Sequence, residues 1–232
     1  MLPDTNPFPD ATLLGRALTA DGPALVKLDG DTVIDITTRD MPTMRDLLEL
    51  PDPVAHVRAA SGPALGQLGT VQLLPPPDLQ AIKASGVTFA ESMVERVIEE
   101  QAAGDADRAE AIRARVTDII GDSLSGIAPG SPEAMRVQSA LIAEGLWSQY
   151  LEVGIGPDAE VFTKSQAMSA VGFGASIGLH PVSSWNNPEP EVVLAIDCAG
   201  RVKGATLGND VNLRDVEGRS ALLLGKAKDN NA

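Results

Sequence analysis

Cysteine, histidine, aromatic residues and positive charge are all scarce in this sequence. One cysteine, Cys198, leaves no partner for an internal disulfide and excludes a multi-cysteine metal site, which suits a reducing compartment. The plain reading of Cys198 is a small residue in a turn, against the alternative of a reactive thiol. Lys and Arg number 18 against 32 Asp and Glu, a formal charge of −14. That balance argues against nucleic acid and anionic membrane surfaces, whose phosphates demand clustered basic residues. Hydrophobic residues reach 44%, yet no run approaches the roughly 20 uninterrupted apolar residues of a membrane helix. The start, MLPDTNPFPD, has neither the basic region nor the apolar run of a secretory signal. These absences leave a soluble, cytoplasmic, globular protein, large enough at 232 residues to bury a substantial core. Its acidity suits a holder of divalent cations without requiring one.

What is present falls into segments. TLLGRALTA, GPALVKLDG and DTVIDITT, within residues 12–38, are short runs punctuated by DG and GD pairs, which predicts a small β-rich unit. Residues 42–69 are mixed and helical in places. Pro75, Pro76 and Pro77 can continue neither a helix nor a ladder. The boundary is therefore expected there, with a small N-terminal β-rich domain over 1–74, a linker at 75–78 and a second domain over 79–232. In the second domain Phe89, Met93, Val94, Val97 and Ile98 repeat at helical spacing behind a Thr88 and Glu91 capping box. Further helices are expected over 105–120 and from Ser131, with Pro132 in its first turn, to Gly154 and Gly156. From residue 158 the texture turns to strands: AEVFTKS, SAVGFGASIGL, PEVVLAI, RVKGATLG and SALLLGKA. A small β unit, a helical segment and a β-rich remainder together predict an α+β chain, mostly β.

Residues 186–210, NNPEPEVVLAIDCAGRVKGATLGND, concentrate acids beside a very apolar run. Strand side chains alternate faces, so Glu189 and Glu191 point one way and Pro190 the other. DCAG reads as a hairpin loop. A hairpin symmetric about residues 198 and 199 sets Glu191 opposite Thr206, Glu189 opposite Gly208 and Asp210 opposite Asn187. All three carboxylates then share one face. Unpaired burial of three anions would cost several kcal/mol each, which a divalent cation removes. An oxygen-only ligand set with open positions suits Mg²⁺ or Mn²⁺ better than Zn²⁺. An exposed acidic face and an acidic edge that resists aggregation are the two other readings.

At this point several stretches fall into a familiar order. GVTFAES at 86–92, EVFTKS at 160–165, PEVV after Pro188, GNDVNLRDVEG at 208–218 and GKAKDNN at 225–231 together resemble the fumarylacetoacetate hydrolase family, over residues from about 78 to the end. The resemblance implies a β-roll catalytic domain, incomplete here, with a helical insertion and behind a small N-terminal domain. It implies Mg²⁺, or Mn²⁺ in its place, on a Glu-x-Glu pair and a later Asp, which carry over to Glu189, Glu191 and Asp210. Lys228 falls in the position of a lysine that stabilises negative charge developing on substrate oxygen, with Lys226 the weaker choice. Lys164 and Ser165 match an element that shapes the site. Surface pairing of Lys164 and an ordinary strand role for Glu160 are the plain alternatives.

Two departures narrow the resemblance. The span from Glu191 to Asp210 is shorter than in hydrolase members, and Ser92 stands where their water-activating His would fall. Both look like the 2-keto-3-deoxy-pentonate dehydratase subgroup, which implies metal-dependent dehydration of a 2-oxo acid to 2,5-dioxopentanoate in pentose catabolism. Glu91, Ser92 and Glu160 are the polar groups then expected near the substrate for proton transfer, with Phe89 as a hydrophobic wall. Glu91 has a rival role as capping partner of Thr88. His56 and His180 sit outside the motifs and read as structural or exposed residues. The partner implied is a small-molecule 2-oxo acid, with a homo-oligomer for the full-length protein. Hydrolysis or decarboxylation of a diketo or oxo acid is the alternative on the same fold. Because the resemblance implies further strands beyond Ala232, the chain is expected to be a truncated fragment, inactive in the limit, with its LLLG run exposed as a strand edge.

Overall fold

A computed structural model describes residues 4–86, 97–98, 101–102, 105–120, 127–147 and 149–232. Helix and strand both contribute substantially, and the chain divides into two compact units. One comprises Met1–Lys83 with Thr163–Ala232, the other Ala84–Phe162.

The first unit begins with strands β1 (Leu14–Thr19), β2 (Gly22–Asp29) and β3 (Thr32–Asp35), as the turn punctuation predicts. Gly22 and Gly30, at φ of 115° and 57°, supply the left-handed turn positions. With β4 (Ala64–Gln67) and β5 (Leu73–Leu74) they form a five-stranded antiparallel sheet in the order β4-β3-β2-β1-β5. Central β2 is covered on both sides. Ala24 and Val26 pack with Ala17, Val33 and Leu68, while Leu25 packs the other way onto Ile36, Met44, Leu47 and Val57. The last three come from helices α1 (Met44–Leu48) and α2 (Pro53–Ala59), capped by Thr43 and Asp52. Buried Arg16 donates to the carbonyls of Pro75 and Pro77, at 3.1 Å each, and so anchors the proline run.

In the second unit, helices α3 (Ala106–Ile120), α4 (Pro132–Ala143) and α5 (Gln149–Ile155) pack Ile112, Val116, Leu141 and Leu151, with Leu146 from the turn after α4, around Val97, Ile98 and Ala102. The helix expected from Ser131 to Gly156 is two helices. Gly145 takes φ 70° and donates to Ile142 O at 3.0 Å, and Leu146 N donates to Leu141 O at 2.8 Å. This is a Schellman stop, closed by burial of Leu141 and Leu146 in one cluster. The capping box at Thr88 lies outside the described residues.

Strands β6 (Ile82–Ser85) and β7 (Val161–Ser165) form a two-stranded sheet. Two of the strands expected after it are corrected. SAVGFGASIGL has no regular structure: Gly172 lies against the Leu73 backbone, where a Cβ would sit 2.3 Å from Leu73 O, and Gly174 takes φ 78°, outside the strand region. SALLLGKA is a 3₁₀ turn (Ala221–Leu223) running into helix α7 (Leu224–Lys228). Leu223 and Ala227, four apart, share a helical face and pack on Leu213 and Val216. The LLLG run therefore presents no strand edge, although Leu222 is exposed. Between these stretches lie β8 (Asn186–Asn187), β9 (Pro190–Ile196), β10 (Val202–Asn209), β11 (Asn212–Leu213) and helix α6 (Arg214–Glu217). Among the described residues no helix is long and apolar enough to cross a membrane.

A candidate metal centre on the hairpin face

Strands β9 and β10 form the expected hairpin in a different register. Gly208 lies opposite Glu191, Asn209 opposite Pro190, and Asp210 N donates to Glu189 O at 2.9 Å. Relative to the symmetric hairpin, each partner from Gly204 onward is displaced by two residues. Two one-residue shifts produce this. The loop closes between Asp197 and Arg201, around Gly200 at φ 77°, so its centre is Ala199. A bulge then inserts Lys203 between the Val202 and Gly204 pairings. One shift alone would have turned every side chain to the opposite face; together they restore it. Glu189, Glu191 and Asp210 consequently share a face, as the alternation predicts, although their cross-strand partners differ.

The hairpin is fixed at its tip. The Asp197 carboxylate accepts the N–H groups of Ala199 (3.0 Å) and Arg201 (2.8 Å), and lies 3.4 Å from the Lys203 ammonium. Lys203 in turn donates to the carbonyls of Leu50 (2.6 Å) and Pro51 (3.2 Å). Cys198 lies exposed in the turn, its N–H donated to Glu49. At the open end Pro188, which lacks an N–H, interrupts the ladder, and β8 and β11 resume it with Asn187 opposite Asn212.

One oxygen each of Glu189, Glu191 and Asp210 lies within 4.8 Å of the others. Two buried lysines reach this cluster. Lys228, from α7, donates to Glu189 Oε2 at 2.6 Å and Asp210 Oδ2 at 2.9 Å. Lys164, from β7, stands 3.7 Å from Asp210 Oδ1 and donates to the carbonyls of Val211, Lys228 and Asn230 and to Asn230 Oδ1 at 2.6 Å. Burial pulls the Lys164 pKa below its ordinary value against the attraction of Asp210. Burial pulls on Lys228 too, but its bonds to Asp210 and Glu189 outweigh it and hold its pKa above the ordinary lysine range.

The carboxylates differ in the same way. Burial alone would raise the Glu189 pKa, but Lys228 and the amides of Asn187 and Asn212 bring it below the usual carboxylate range. Glu191 is raised, by burial and then by the charges of Asp210 and Glu189. Asp210 Oδ1 is buried with no hydrogen-bond partner among the described residues. A raised acid, a buried carboxylate oxygen that accepts no hydrogen bond among the described residues and an all-oxygen donor set fit a hard divalent cation.

Of the other residues expected here, Ser165 is buried and its hydroxyl lies 2.5 Å from that of Ser169 instead of meeting the carboxylates. Glu160 belongs to the second unit, where its carbonyl accepts Gly86 N–H at 2.9 Å. Phe89, Glu91 and Ser92 lie outside the described residues. Sequence reading missed three asparagines. Asn187 and Asn212 bond Glu189, and Asn230 bonds Lys164. For the first two the signal was available, since they fall on the same alternating face as Glu189.

No protein-family model matches the chain. A stretch of 69 residues is 36% identical to a 2-dehydro-3-deoxy-D-arabinonate dehydratase of Saccharolobus solfataricus, covering 30% of this chain and 23% of that protein. A stretch of 79 residues is 38% identical to a probable 2-keto-3-deoxyxylonate dehydratase of Haloferax volcanii, covering 34% of this chain and 27% of that protein. The fold is similar to that of a solved 2-keto-3-deoxy-D-arabinonate dehydratase complexed with magnesium and 2,5-dioxopentanoate, at TM-score 0.56 and 18% identity over 93% of this chain and 60% of that one. A hexagonal crystal form of a 2-keto-3-deoxyarabinonate dehydratase gives TM-score 0.57 and 19% identity, over 93% and 62%. The chain thus spans about three fifths of the solved proteins it resembles, and the matched stretches about a quarter of the curated relatives.

Proposed function

We propose that this chain carries the metal-binding part of a hydro-lyase that dehydrates a 2-keto-3-deoxy-pentonate to 2,5-dioxopentanoate. The observation that carries the reading is the convergence of Glu189, Glu191 and Asp210 on one hairpin face, with two buried lysines beside them. The names of the relatives point to the same substrate class. Glu189, Glu191 and Asp210 would hold the cation, Mg²⁺ in the first place. When bound, it supplies Lewis acidity that polarises the 2-oxo group of the substrate and so acidifies the protons on C3.

The residues of the chain do the rest. Three carboxylates against two ammonium groups leave the cluster one negative charge, so adding a divalent cation turns it positive and suited to a 2-oxo acid anion. Lys228 holds Glu189 and Asp210 together and keeps a positive charge beside oxygen that becomes negative in the reaction. Lys164 ties β7 to the segment carrying Lys228, and Ser165 shapes the floor beside it. Removal of a C3 proton, departure of the C4 hydroxyl as water and proton shifts from C5 complete the conversion. Glu91, Ser92 and Glu160 are the groups proposed to move those protons, and Phe89 to wall the pocket. No redox cofactor is required.

Mass spectrometry after incubating the protein with 2-keto-3-deoxy-xylonate or 2-keto-3-deoxy-arabinonate and Mg²⁺ tests this. Loss of one water with the five-carbon skeleton intact is expected. A cleaved skeleton would reject dehydration in favour of hydrolysis or decarboxylation on the same fold.

A further inference from the structure

Asn212 is fully buried, and its side-chain amide gives both N–H groups to carboxylates. One goes to Glu189 Oε1 at 3.1 Å and the other to Glu217 Oε2 at 2.6 Å. Glu217 Oε2 also accepts from Arg214 Nη1 at 2.9 Å. Glu189 Oε1 accepts a second amide N–H, from Asn187 at 3.3 Å. The two oxygens of Glu189 are therefore used differently: Oε1 is held by neutral amides, and Oε2 accepts from Lys228, which also donates to Asp210.

We propose that Asn212, backed by Glu217 and Arg214, is a positioning residue that fixes the Glu189 carboxylate and thereby sets the affinity of the Glu189, Glu191 and Asp210 cluster for a divalent cation. The inference rests on the metal reading above. A neutral donor is the side chain this task calls for. A lysine or arginine at 212 would orient Glu189 but also neutralise it and compete with a cation; an aspartate would repel both Glu189 and Glu217. Glu217 fixes which way the amide faces, since a flipped Asn212 would set its carbonyl oxygen against two anions.

The arrangement has a local cost that points the same way. With both N–H groups facing carboxylates, Asn212 Oδ1 is left buried with no hydrogen-bond partner among the described residues. An unsatisfied buried acceptor is unfavourable. Its persistence at a fully buried position fits a residue whose orientation serves Glu189 rather than its own hydrogen bonding. Groups that orient metal-ligating side chains commonly alter affinity by about 10-fold to 100-fold when removed.

Binding of Mn²⁺, followed by the electron paramagnetic resonance of the free ion, tests this in wild type, Asn212→Ala, Glu217→Ala and Val216→Ala, each with its melting temperature. Asn212→Ala is expected to bind about tenfold more weakly or worse. Glu217→Ala, which frees the amide to turn, is expected to bind severalfold more weakly. Val216→Ala, which truncates a buried residue on the same helix, is expected to melt earlier with its affinity unchanged. An Asn212→Ala affinity within twofold of a wild type that binds Mn²⁺ overturns the inference. If Asn212→Ala does not fold, unchanged affinity in Glu217→Ala overturns it instead. Wild type without saturable Mn²⁺ binding overturns the metal reading, and this inference with it.

Discussion

Asp210 stands opposite Glu189 in the hairpin ladder, its N–H 2.9 Å from the Glu189 carbonyl, and the two carboxylates share the ammonium of Lys228. A backbone bond and the shared Lys228 ammonium thus fix the pair. The Asp210 side chain is 6% exposed and that of Glu189 30%, so loss of Lys228 weighs mainly on Asp210. Lys228→Met is expected to cost about 3 kcal/mol in metal-free buffer, at the lower end for breaking a buried pair. Saturating Mg²⁺ is expected to return part of that by occupying the same carboxylates. Urea midpoints with and without Mg²⁺ measure both, and equal losses in the two buffers would separate Lys228 from the cation site.

Glu191 is the opposite case. Among the described residues no hydrogen bond holds its carboxylate, and burial with two neighbouring anions raises its pKa. Glu191→Gln is therefore expected to leave metal-free stability within about 1 kcal/mol of wild type, as for substitutions that break no buried network. It should nevertheless lose the stabilisation by Mg²⁺, which for wild type amounts to about 2.7 kcal/mol at a hundredfold excess over the dissociation constant. Melting temperatures in Mg²⁺ against NaCl of equal ionic strength check this.

Asp197 contributes to the acid side of the stability profile. Its pKa is lowered to about 2, first by the Arg201 N–H, then by the Arg201 side chain and the Ala199 N–H against burial. A depressed carboxylate contributes stability above its unfolded value of 3.8 and loses it as pH falls toward about 2. Asp197→Asn is expected to be less stable than wild type at neutral pH, with the gap closing between those two values. Denaturant midpoints from pH 6 down to about pH 2 measure it, and a gap independent of pH would contradict the assignment.

The far side of the hairpin is apolar and open. Val192, Leu194, Ile196, Val202 and Leu207 are between 50% and 81% exposed, Leu207 the most. Leu207→Lys is expected to change stability by no more than about 0.5 kcal/mol, as for an exposed position. It should lower dye binding to apolar surface and slow aggregation on heating. A stability loss comparable to a core truncation would mean that this face is covered in solution.

Much of the candidate site was legible in the sequence because strand alternation is local. Glu189, Glu191 and Asp210 share a face whether the register is the symmetric one or the observed one, since the displacement is an even number of residues. The loop closure and the Lys203 bulge were not legible. The bulged Lys203 reaches the carbonyls of Leu50 and Pro51, about 150 positions earlier, and the loop closure rests on the Asp197 carboxylate turning back onto the N–H groups of Ala199 and Arg201. SALLLGKA holds no β-branched or aromatic residue, and its Ala, Leu and Lys favour a helix; burial of Leu223 and Ala227 on Leu213 and Val216 gives that helix its packed face. Gly145 was visible as a glycine, but its role as a helix stop needs Leu146 to find a buried place beside Leu141.

The sequence by itself determined the β-rich start, the acidic character and the common face of three carboxylates, because turn chemistry, charge and alternation act over a few residues. The tertiary structure alone decided that Lys164, Lys228, Asn187 and Asn212 surround that face, and that Asp210 Oδ1 and Asn212 Oδ1 accept no hydrogen bond there among the described residues. Those outcomes join segments as far as 64 residues apart. The hydrophobic packing that brings such segments together sets them, and no short stretch of sequence contains it.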